Sequence, residues 1–164
     1  MRKLKNNKGF TLIELLAVIL ILAILVAVAV PAVTRYLNTA RQGTYASNAN
    51  AALSVVRNDV IAKGITTKKP YTLTEINALL DKKLVESPYG KKYTTTSYIM
   101  VDFDSKTLEP LYYICLMDEG GNGLYDKTKN AVAEANAKEI NVQTGLATDK
   151  ATADALCNTA NWKK

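Results

Sequence analysis

The stretch Lys8-Gly9-Phe10-Thr11-Leu12-Ile13-Glu14-Leu15-Leu16 joins a basic leader, Met1 to Gly9, to an apolar run that ends near Val33. About a dozen Leu, Ile and Val residues lie between Leu15 and Val30. Each contributes roughly −0.3 to −0.6 kcal/mol to membrane insertion, a sum of order −5 kcal/mol. That outweighs the penalty of one acid near the end of the run, so a helix here inserts with Glu14 in place. A carboxylate in apolar surroundings calls for a cation, and one supplied by another chain would also set a register between subunits. The alternative is that Glu14 snorkels to the headgroups.

Charge and composition narrow the function. The chain of 164 residues carries a net charge of +6, of which Arg2, Lys3, Lys5 and Lys8 supply four units. From Gly64 onward, 13 basic and 13 acidic side chains balance. The basicity therefore belongs to the leader, where it orients the helix with its C-terminal side outward. A nucleic-acid-binding surface is not expected. The chain has no histidine. That excludes Ser-His-Asp and Cys-His catalysis, histidine-ligated metals and an imidazole switch. No enzyme activity and no cofactor are expected.

An ordinary secretory signal shares the basic start, and Ala27-Val28-Ala29 mimics a small-residue cleavage site. The apolar run is too long for that reading, Glu14 interrupts its beginning, and Pro31 follows the mock site. The break in character falls instead between Gly9 and Phe10. Cleavage there strips the positive charges, keeps the helix and creates an α-amino group about four residues from Glu14.

On these residues the N-terminus resembles the class III signal of type IV pilins and related pseudopilins. The resemblance covers roughly the first 35 residues and implies cleavage between Gly9 and Phe10 by a membrane-embedded prepilin peptidase, with N-methylation of Phe10. It implies that Glu14 pairs with the terminal amine of Phe10 in a neighbouring subunit. It also implies loosening of the helix near Pro31 during assembly, with a static kink at Pro31 as the alternative.

The chain divides into a cleaved leader (1–9), a membrane and assembly half-helix (10–33), an amphipathic half-helix (34–63) and a globular head (64–164). The expected fold is α+β: one long helix packed against a small antiparallel sheet. Tyr45, Ala49, Ala52, Leu53, Val56 and Val60 recur at three- and four-residue spacing and form the stripe for the head. Gly64 is a natural C-terminal stop. Lys68-Lys69-Pro70 reads as a linker, and Thr72-Leu73-Thr74-Glu75 as a capping box opening a short helix. Ser87-Pro88-Tyr89-Gly90 reads as a turn, with strands over Tyr93–Phe103 and Leu108–Met117 joined at Asp104-Ser105-Lys106. Ala131 to Glu139 has helical propensity, Ile140-Asn141-Val142-Gln143 alternates like a short strand, and Asp149 to Leu156 suits a last helical turn.

Two constellations remain. Cys115 and Cys157 either stay as separate buried thiols or pair, closing a loop of about 43 residues worth up to roughly 4 kcal/mol. Asp118, Glu119, Asn122 and Asp126 offer oxygen ligands for Ca²⁺, but they lack the alternation of an EF-hand loop, and a solvated turn is the competing reading. The function expected is a pilus subunit. It starts as a single-pass membrane protein and assembles through the pilus machinery into a homo-oligomeric surface filament for adhesion or motility. A pseudopilin or minor pilin of a secretion or DNA-uptake system is the alternative, and a membrane-anchored or secreted binding protein is the remoter one.

Overall fold

The computed structural model describes residues 9–124, 132–133 and 150–157. The described chain is α+β, and it divides into two units, one ending at Thr39 and one beginning at Ala40. Helix α1, Leu12–Lys63, contributes to both and is continuous through Pro31.

In the first unit every described residue from Gly9 to Thr39 is exposed. The apolar part of α1 is long enough to cross a membrane, and none of that window is buried within the structure. A helix that is apolar all round needs lipid or other helices against it, because water would face its whole circumference.

In the second unit α1 buries Tyr45, Ala49, Ala52, Leu53, Val56 and Val60. This is the stripe expected from the spacing. The helix ends in a Schellman motif: Gly64 N–H donates to Ile61 O (3.2 Å) and Ile65 N–H to Val60 O (3.0 Å). Gly64 has φ of 59°, the left-handed conformation that closes such an end without a Cβ penalty.

Strand β1 (Lys69–Thr72) leads directly into α2 (Leu73–Leu79). Thr72 caps α2 and Glu75 reaches back to the Thr72 amide, so the expected capping box forms. Strands β2 (Tyr98–Phe103) and β3 (Pro110–Met117) pair antiparallel, with Tyr98 opposite Cys115 and Phe103 opposite Pro110. The sheet order is β1-β2-β3-β4, with β4 at Gly123–Leu124. Strand β5, Val132–Ala133, also pairs with β3, at Ile114 and Tyr113. A last helix, α3, spans Lys150–Leu156.

Residue alternation splits β2 and β3 between two cores. Ile99, Val101, Tyr112, Ile114 and Leu116 join the α1 stripe, together with Leu73, Ile76 and Leu84. Tyr98, Met100, Tyr113, Cys115 and Met117 pack on the opposite face with Ala153 and Cys157. Both faces of the central strands are therefore covered, which explains why Ile99–Val101 and Tyr112–Met117 are buried without interruption.

Four local expectations are corrected. Lys69-Pro70 is not linker but the start of β1, stabilised by pairing with Val101 and Met100. Tyr93–Ser97 does not extend β2, because Ser97 and Thr94 are used to clasp the end of β3. Ser97 Oγ accepts from Met117 N–H (3.1 Å), and Thr94 N–H donates to Met117 O (2.8 Å). Leu108 does not begin β3, since its φ of 58° is left-handed and incompatible with a strand. Val132–Ala133 is strand rather than helix. The alternation at Ile140–Gln143 lies outside the described residues.

Candidate functional site

The N-terminal segment is built from its capping residue outward. Gly9, Phe10 and Thr11 precede α1 in non-helical conformation, and Phe10 is 92% exposed. Thr11 acts as the N-cap: its hydroxyl accepts from Glu14 N–H at 3.3 Å. In return, Glu14 Oε2 accepts from Thr11 N–H at 2.9 Å and from Thr11 Oγ1 at 2.8 Å. This reciprocal pattern is a capping box, which satisfies two amides that the first helical turn leaves without carbonyl partners.

Glu14 therefore has a role inside its own chain, as the acid of the cap that opens α1. The Thr-x-x-Glu spacing that flagged Thr72 and Glu75 is present at Thr11 and Glu14 as well. There the apolar residues that follow mask the spacing, because they make burial the dominant signal. The carboxylate also borders an open hollow of about 600 Å³, lined by Phe10, Glu14, Leu15, Ala17 and Val18. The leader residues before Gly9 lie outside the described residues. Pro31 sits within α1, and Thr34 Oγ1 donates to Val30 O at 2.9 Å one turn along.

The candidate cation ligands have a different arrangement. Asp118 is fully buried, and its carboxylate is surrounded by donors. Ser87 Oγ donates to Oδ2 at 2.6 Å, while Gly120 N–H and Asn122 N–H each donate to Oδ1 at 2.9 Å. The Asn122 side-chain amide donates to both oxygens, at 3.1 and 3.2 Å. Five contacts fill the carboxylate's acceptor positions, so this is a hydrogen-bonded turn core that gives a cation no ready coordination site. Among the described residues no group of three or more acids or thiols gathers as a metal site. Asp126 lies outside the described residues.

Around that turn, the Tyr45 hydroxyl is shared between Asn122 O (3.0 Å) and Leu116 O (3.1 Å), which ties α1 to the end of β3. Burial pushes the Tyr45 phenol well above its ordinary value, with Tyr93, Asp118 and Tyr89 adding to the effect. Burial likewise pushes Tyr93 up to about 12, opposed by the Asn48 amide that donates to its oxygen at 3.1 Å. Cys115 and Cys157 are joined as a disulfide with a Cα–Cα distance of 5.6 Å, linking the middle of β3 to the end of α3.

Residues 4–30 match the family model of the prokaryotic N-terminal methylation motif. No curated protein and no solved structure matches the chain. The matched motif covers the leader from Leu4 onward, the Gly9–Phe10 junction, Glu14 and most of the apolar run. It implies processing by a prepilin peptidase and handling by pilus-type machinery. With its long apolar N-terminal helix, this chain carries the class III signal peptide found on type IV pilins, and that motif supports a pilin-like or pseudopilin precursor.

Proposed function

We propose that the chain is a structural subunit of a type IV pilus. It is cut between Gly9 and Phe10, methylated at Phe10, drawn out of the membrane and packed helically with many copies. Residues 10–33 form the filament centre, 34–63 link it to the head, and 64–164 form the outer surface of an extracellular fibre. The observation that carries this reading is the combination of the methylation motif with an apolar helical segment that is exposed on every side up to Thr39. Packing such helices against each other replaces lipid with close helix–helix contacts and leaves the heads in water.

The register comes from Glu14. Both Thr11 bonds go to Oε2, which leaves Oε1 for the Phe10 amine of a neighbouring subunit. In apolar surroundings that charge-assisted contact is strong and directional. The test is mass spectrometry of the mature N-terminus, combined with electron microscopy of sheared surface material labelled by antibody to the head. A methylated Phe10 start and abundant labelled fibres are expected. A start at Val30 would overturn the reading. A Phe10 start with labelled protein only in trace amounts among fibres would assign the chain to the pseudopilins or minor pilins.

A further inference from the structure

Strands β2 and β3 carry a core on each face, and the two cores have very different covers. The face towards α1 is sealed by the Tyr45–Val60 stripe, with Leu73 and Ile76 of α2 beside it. On the opposite face Tyr98, Met100, Tyr113, Cys115 and Met117 are between 0 and 7% exposed. Among the described residues, the element packed there is α3 with Cys157 at its end, and it buries Ala153 and Cys157 fully and Leu156 in part. No residue of α3 belongs to the core on the α1 side.

Helix α3 has seven residues, well short of the roughly 12–15 that an isolated helix needs to persist in water. Ala153 and Leu156 are its apolar anchors, and they bury little area to offset the entropy of fixing the segment. The Thr96 hydroxyl donates to Asp154 Oδ1 at 3.4 Å, a long contact. What ties the segment firmly is covalent: Cys157 is bonded to Cys115, in the middle of β3. Both cysteines are 0% exposed, so a thiol from solvent meets the bridge only after α3 has lifted.

We propose that the Cys115–Cys157 bridge is a redox latch. Oxidised, it holds α3 against the sheet. Reduced, it frees α3 and bares Tyr98, Met100, Tyr113 and Met117, while the core on the α1 side stays folded. Opening is thiol–disulfide exchange with a dithiol. One thiolate of the dithiol attacks a bridge sulfur and expels the other cysteine as a thiolate, which takes up a proton. The second thiol then resolves the mixed disulfide, so the chain ends with two thiols and the dithiol with an internal disulfide. A bare face of four large side chains invites association. Disulfides form outside the reducing cytosol, so the latch gives the head a wet surface only once it has left that compartment.

The latch goes beyond the pilus reading and is tested on the detergent-solubilised full chain, so its failure would leave that reading untouched. Hydrogen exchange of the wild-type chain in excess dithiol should show α3 amides exchanging about tenfold faster, or more, than in the oxidised chain. Amides of Tyr45–Val60 should keep their protection. In the C115S/C157S variant, peroxide should convert Met100 and Met117 to sulfoxides about tenfold faster, or more, than in the oxidised wild type. Reoxidation of the reduced wild-type chain should restore slow exchange at α3. Unchanged α3 exchange, or unchanged methionine oxidation, would mean that the segment stays seated without its bond, and would overturn the latch. Loss of protection along Tyr45–Val60 in the reduced wild type would equally overturn it, because the bridge would then support the whole head.

Discussion

Glu14 Oε2 receives both the amide and the hydroxyl of Thr11, at 2.9 and 2.8 Å, so the acid is oriented by its own helix start before any neighbour arrives. A carboxylate fixed in this way loses little freedom when it meets an incoming amine, which is the benefit of preorganisation.

The first prediction concerns that pair. Glu14→Ala should leave membrane recovery and leader cleavage largely intact while sharply reducing sheared filaments. Thr11→Ala should give an intermediate loss and Thr11→Ser should restore assembly, because a serine hydroxyl can make the same capping contacts. Immunoblots of membrane and sheared fractions measure this. Ordinary filament yield from Glu14→Ala would rule out the register role.

Gly123 is the second target. A Cβ there would meet the Leu116 carbonyl and sit 2.8 Å from Met117 Cα, both backbone atoms of β3. Gly123→Ala should therefore destabilise the head by about 1–3 kcal/mol, the range for forcing atoms into a packed interior. The urea midpoint of the detergent-solubilised chain is the measurement, and an unchanged midpoint would show that β4 shifts freely.

The disulfide spans 42 positions between Cys115 and Cys157. A loop of that length is worth about 4 kcal/mol in the chain-entropy model. Cys157→Ser should lower stability by that order and make the protein insensitive to reductant. Wild-type protein should fall to the same level when reduced.

Two pH limits follow from the titrating side chains. Lys63 beside Asp59, helped by the Tyr71 hydroxyl, holds the Asp59 carboxyl below the usual carboxylate range. Its contribution is present above the unfolded value of about 4 and is lost as pH falls through the folded one. Asp59→Asn should remove that part of the acid sensitivity. At the other end, Tyr45 and Tyr93 are raised by burial. Their contribution is complete below about pH 10 and drains away as pH rises towards 12, the Tyr93 value. Tyrosinate absorbance should rise together with loss of tertiary signal across that window, and early titration of all nine tyrosines in a folded chain would contradict it.

Much of the frame was legible because it is written in periodicity and caps. The α1 stripe, Gly64 and the Thr72–Glu75 box each depend on neighbours within a few residues. What was not legible depends on contacts made elsewhere. Lys69-Pro70-Tyr71-Thr72 has weak strand propensity and becomes β1 through β2, at an edge where a proline is tolerated. Tyr93–Ser97 looks like strand, but its hydroxyls serve the end of β3 instead. The burial of Asp118 was not legible, because one of its donors, Ser87, lies 31 positions away. At the N-terminus the motif itself was plain, while the Thr11 cap within it was hidden by the apolar context.

Because Tyr45 through Val60 lie on one face of α1 against the sheet, force applied along that stretch of helix acts on the head as shear. The roughly four to five turns from Tyr45 to Val60 bear on the sheet together. The Tyr45 hydroxyl bonds and the Cys115–Cys157 bridge then act as stops at either face of β3. In the proposed filament, a subunit wired in this manner should yield at its joints with other copies before its own interior gives way.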